Sequence, residues 1–235
     1  MQEPIAITYI FSFDDGKTEI FPLSFHAETM NLVGPLPRVA PKWAELSFHK
    51  CPHCPLSTAT CPVAAALSEV LAGFDGRRSY DPVLLEVTSR ERKVTAQTTL
   101  QRGLSSMMGL IMATAGCPHA AFLKPMARFH LPLAGEAETL YRATSMYLLA
   151  QYFKARDGQA PDLSLAGLEE HYGAMETVNI SMSKRLRAAM ATDPAVNAVI
   201  ILDTYAKLLP FSISESLDVV RPAFGDYLAD RGKPG

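Results

Sequence analysis

The sequence predicts an α+β protein, with a small antiparallel sheet from two hairpins in the N-terminal half packed on a mainly helical C-terminal part. Three observations carry this. Near the start, apolar side chains alternate with period two on either side of a hairpin turn. A second pair of β-rich runs follows between Val83 and Thr98. From Thr99 onward the apolar residues recur at helical spacing almost to the end. The expected division is 1–98 for the β-rich part and 99–230 for the helical part, joined in one continuous globular unit.

Ile5, Ile7, Tyr9, Phe11 and Phe13 alternate with smaller residues and define the first strand, with one strongly apolar face. Asp14-Asp15-Gly16 is hairpin-turn chemistry, and Lys17 to Phe25 returns as the second strand. A connector containing Pro35, Pro37 and Pro41 leads to Trp43 and the first cysteines. Pro62 to Leu71 reads as a helix, with Pro at a first-turn position and Gly73 near its end. Val83–Thr88 and Lys93–Thr98 form the second hairpin around Ser89-Arg90-Glu91-Arg92, which makes a sheet of about four strands.

Thr99 to Ala115 is expected as one helix stopping at Gly116. Its small, methionine-rich surface predicts burial on most sides. It is therefore read as the central helix, with ordinary core preferred over a methionine-lined ligand cavity. Glu136–Arg156 and Ser164 to about Ala191 follow as helices, the latter broken near Gly173. Asp193-Pro194 caps a helix to about Leu208. Ser212-Ile-Ser-Glu215 fits a capping box for the last helix, which Pro222 should kink or interrupt, and the tail from Arg231 should fray.

The chain has 235 residues, 48% hydrophobic and 20% charged, with a net charge of −2. No long basic run argues for nucleic acid, and short clusters such as Lys184-Arg185-Arg187 are read as solvated faces. The apolar segment Leu104–Ala115 is too short to span a bilayer. Met1-Gln2-Glu3-Pro4 does not begin a signal peptide, so a cytoplasmic location is expected. Thiols there stay reduced, and a disulfide framework is not expected.

The chemistry concentrates in the four cysteines. Each is followed by proline: Cys51-Pro52, Cys54-Pro55, Cys61-Pro62 and Cys117-Pro118. Proline drives the residue before it into extended geometry and removes a backbone donor beside each sulfur. Stiff, extended loops that fix the directions of sulfurs suit a metal site. Core cysteines have no need of them. The order C-x2-C-x6-C-x55-C places three sulfurs together and leaves the fourth, after the central helix, to be delivered by the fold. Three clustered cysteines and one remote cysteine are a frequent plan for a [4Fe–4S] cluster, although this spacing is not a ferredoxin signature. Four thiolates also hold structural Zn2+. However, Pro55 stands where a zinc knuckle usually has Gly, and a second C-x2-C is missing. Pro55 also opposes a thioredoxin-like motif, in which a helix would run through the second cysteine.

His49, His53, His119 and His130 lie near these cysteines in sequence, and His53 and His119 are the candidate cofactor-binding residues of the surrounding shell. No phosphate loop, G-x-S-x-G, H-E-x-x-H or paired Glu-x-x-His is present. Glu169-Glu170-His171 reads as a solvated helix face, and Tyr141 and Arg142 as surface residues rather than a pocket wall.

His49-Lys-Cys-Pro-His-Cys-Pro-Leu56 and Gly109-Leu-Ile-Met-Ala-Thr-Ala-Gly-Cys-Pro-His119 resemble motifs of an uncharacterised bacterial family, a domain of unknown function. The resemblance extends through Phe122–His130 into Ser145–Phe153. It implies that the four Cys-Pro elements act as a unit, and implies no activity.

The leading expectation is a cytoplasmic iron–sulfur protein. Cys51, Cys54, Cys61 and Cys117 would ligate one [4Fe–4S] cluster for electron transfer or redox sensing with a partner protein. The alternatives are an interaction module built on structural Zn2+, and a metalloenzyme with an open coordination position. Nucleic-acid and membrane partners are not expected.

Overall fold

The computed structural model describes residues 3–34, 39–189, 193–211 and 213–229. The prolines at 35 and 37, Ser212 of the capping box and the tail from Arg231 lie outside them. The sheet has five strands rather than about four, in the order β3-β2-β1-β4-β5, every pair antiparallel. The strands are β1 (Ile5–Phe13), β2 (Thr18–Phe25), β3 (Leu32–Val33), β4 (Pro82–Ser89) and β5 (Lys93–Thr99). The added strand is the two-residue β3, too short to show any period in sequence. In β1, Ile7, Tyr9, Phe11 and Phe13 are buried, and Leu23, Phe25, Val83, Leu85 and Val87 join them from the neighbouring strands.

The helices are α1 (Pro62–Leu71), α2 (Leu100–Thr114), α3 (Lys124–Arg128), α4 (Glu136–Arg156), α5 (Ala166–Ala189), α6 (Pro194–Phe211), α7 (Ile213–Val220) and α8 (Gly225–Leu228). The expected interruption at Pro222 is present, since a 3-10 turn at Arg221–Phe224 separates α7 from α8. The expected break of α5 near Gly173 is absent. The helix runs unbroken from Ala166 to Ala189. A single internal Gly costs only about 1 kcal/mol of helix propensity. Burial of Leu168, Tyr172, Met175, Val178, Met182 and Leu186 along one face outweighs it.

Helix α2 is central. It touches the sheet on one side and α6 on the other, and α6 packs along α5. Leu100, Leu104, Met107, Met108 and Ile111 are fully buried. Its close seat on the sheet depends on Gly103, where an added Cβ would stand 2.7 Å from Phe11 Cε1. One hydrophobic core runs from the sheet through α2 into α5 and α6. Among the described residues, no single helix is long and apolar enough to cross a membrane.

Candidate metal centre

Cys51 and Cys54 sit on a loop whose neck is tied by backbone bonds. Glu45 bridges Thr60, Leu46 N–H donates to Ala59 at 2.9 Å, and Cys61 N–H donates to Ala44 at 2.8 Å. Arg185 of α5 locks this neck. Its guanidinium donates to the carbonyls of Trp43 and Glu45, both at 2.7 Å, and of Leu46 at 3.1 Å. At 1% exposure, Arg185 overturns the reading of Lys184-Arg185-Arg187 as a solvated cluster. The sequence signal was its spacing: it follows Met182 by three residues and so shares the buried face of α5.

At the tip, Cys54 N–H donates to the Cys51 carbonyl at 3.0 Å, a tight turn that presents both sulfurs from one short segment. Cys61 and Cys117 have nearly the same backbone, φ −73, ψ 118 and φ −72, ψ 123. Each stands immediately before a proline that opens a helix or 3-10 turn, as the Cys-Pro argument expects.

Cys117 occupies a corner, where the chain axis turns by 111° between Leu100–Thr114 and Pro118–Arg128. Gly116 makes the corner with φ +96, and a Cβ there would be 3.9 Å from Pro62 Cβ. The Gly116-Cys117 corner therefore backs directly onto Cys61-Pro62. Two residues later, His119 Nε2 donates to the His53 carbonyl at 2.9 Å, and the two imidazole centroids are 3.9 Å apart. His53 Nε2 donates to the Ala174 carbonyl on α5 at 3.2 Å. Its Nδ1 is buried with no partner among the described residues. The central helix thus delivers the remote cysteine to the loop that holds the other three.

All four thiols are free and half-buried. Burial raises the pKa of Cys51, and the neighbouring sulfurs of Cys61 and Cys54 add to the rise, while the Ser181 side chain and the Arg185 charge oppose it. Burial likewise raises Cys117, the backbone N–H groups of Ala120 and His119 oppose it, and the Cys61 and Cys51 sulfurs raise it further. For Cys51 and Cys117, burial thus favours the protonated thiol. Among the described residues, no group of three or more His, Cys, Asp or Glu side chains is already arranged around a single metal-ion position. Tetrahedral Zn–S bonds of about 2.3 Å would require sulfurs about 3.8 Å apart. The four cysteines are thus free, half-buried thiols with no metal-ion position preformed among the described residues.

The histidines divide. His53 and His119 border the cysteines as expected. His130 does not, and its Nε2 instead meets Tyr9 Oη at 2.5 Å. Arg142, read as a surface residue, lines a partly open cavity, whereas Tyr141 is exposed. Glu169, Glu170 and His171 are exposed, with His171 stacked on Phe122 at 4.7 Å.

No curated protein and no solved structure matches the chain. A family model does match, over residues 7–225, which include all four cysteines and the elements that gather them. The chain belongs to the family described as Domain of unknown function (DUF6901).

Proposed function

We propose that the protein is a cytoplasmic iron–sulfur protein whose Cys51, Cys54, Cys61 and Cys117 supply thiolates to one [4Fe–4S] cluster, for electron transfer or redox sensing with a partner protein. The observation that carries this reading is the seating of the Gly116–His119 corner against both Pro62 and His53, across the large sequence gap between Cys61 and Cys117. Such a cluster would supply a one-electron couple when bound. The chain's own residues would do the rest. The Cys-Pro backbones hold the sulfurs extended, α2 and α5 shield one side from water, and Arg185 offsets negative charge beside Cys51. The raised pKa values of Cys51 and Cys117 would couple loading to proton release, because only thiolates ligate.

Anaerobic purification tests the reading. The expected product is brown, contains iron and acid-labile sulfide in equal amounts, and is bleached by dithionite. A colourless protein with one zinc per chain would replace this reading with a structural zinc module. Metal retained in full by Cys117→Ser would exclude Cys117 as a ligand.

A further inference from the structure

On the far side of α2 lies a cavity of about 180 Å3, bounded by α2, α4, α5, α6 and the segment around Met126–Ala134. A dry cavity of about 150 Å3 accommodates benzene. Its walls are mainly apolar, and Met112, Met126 and Met175 give them side chains that adapt to shape.

The polar groups on these walls are unbalanced. Arg102 and Arg142 both line the cavity, and among the described residues no aspartate or glutamate does. Arg102 is exposed, whereas Arg142 is half-buried and donates from Nη2 to the carbonyls of Met126 and Phe129, each at 2.9 Å. Among the described residues neither arginine forms a salt bridge. Burial lowers the pKa of Arg142, with Tyr172 and Glu138 opposing the fall. Among the described residues its hydrogen bonds go only to neutral carbonyls, with the Glu138 charge acting at longer range, and a guanidinium so placed keeps N–H donors that suit an anion. Asn179 adds a second polar point. It lines the cavity at 2% exposure, and its Oδ1 has no partner among the described residues. By a half-turn of its amide it can present either an acceptor or an N–H2 donor.

We propose that this cavity binds a small monocarboxylic acid with an apolar body about the size of a benzene ring, its carboxylate directed to Arg142 and Arg102 and its body among the methionines. The inference is independent of any metal bound by the cysteines.

The test is titration of the purified full chain with benzoate and with benzyl alcohol, its neutral counterpart, followed by calorimetry and methionine-methyl NMR. Benzoate should bind and perturb the methyls of Met112, Met126 and Met175, and benzyl alcohol should bind at least tenfold more weakly. Arg142→Gln should weaken benzoate by about tenfold or more, the value of a lost charge-assisted bond. Arg102→Gln, at an exposed position, should weaken it by a smaller factor. Ala134→Phe should occlude the cavity and abolish binding of both compounds. The proposal is overturned if benzoate fails to bind at millimolar concentration, if benzyl alcohol binds equally well, or if binding survives Ala134→Phe unchanged.

Discussion

His119 donates a hydrogen bond to the backbone of His53, and their rings lie 3.9 Å apart. This contact ties the segment after the central helix to the tip of the loop carrying Cys51 and Cys54. The fourth cysteine, two residues before His119, is thereby held close to that loop.

Loss of any one sulfur should release the proposed cluster. Cys51→Ser, Cys61→Ser and Cys117→Ser are each expected to yield colourless protein with iron and sulfide near background after anaerobic purification. Far-UV circular dichroism should stay close to that of the parent protein, because none of the three side chains is fully buried.

Arg185→Met should destabilise the fold by about 3 kcal/mol or more, because it strips three carbonyls of their donor at a buried position. Urea unfolding would measure the loss. Lys at this position should restore only part of it, since an ammonium cannot reproduce the planar fork of the guanidinium.

Stability should fall in acid partly through His130. Burial, with the Arg142 charge adding to it, lowers its pKa from about 6.5 to about 3. Between those values the unfolded chain binds a proton that the folded chain refuses. The His130 contribution is therefore complete above about pH 6.5 and is lost as pH falls towards 3. The slope is at most about 1.4 kcal/mol per pH unit. His130→Gln, which can still bond Tyr9, should flatten the stability profile in that window relative to the parent protein.

Two glycines should resist substitution for different reasons. Gly103→Ala places a methyl against the Phe11 ring and should cost about 1–3 kcal/mol by overpacking. Gly116→Ala makes only an ordinary van der Waals contact with Pro62 but must adopt φ +96, at a cost of about 1–2 kcal/mol. The second change should also lower metal content, because it disturbs the corner that carries Cys117. Equilibrium unfolding and iron analysis of both variants separate the two effects.

Much of the fold was legible because its signals are local. The alternation in Ile5–Phe13 marked a strand with one buried face, and Pro62, Gly158 and Pro222 marked helix boundaries or breaks through backbone sterics. Gly173 misled because its propensity cost is small beside the burial of the face of α5 on which Tyr172 and Met175 lie. Arg185 was missed because, with Lys184 and Arg187 beside it, it looked like part of a solvated cluster. Only the carbonyls of a loop some 140 residues away explain its burial. Arg142 was missed for a similar reason, since the cavity it lines exists only where five separate segments meet.

By itself, the sequence determined the extended backbone at Cys61 and Cys117, because a proline restricts the residue before it whatever the rest of the chain does. It likewise determined the faces that strands and helices bury, since side-chain period follows from backbone geometry. Tertiary structure alone decided that Gly116 rests on Pro62, that Arg185 locks the cysteine loop and that a cavity lined by two arginines opens beside α2. Sterics act across a few residues, whereas these juxtapositions depend on the packing of α2 between the sheet and α6, which closes long stretches of chain at once.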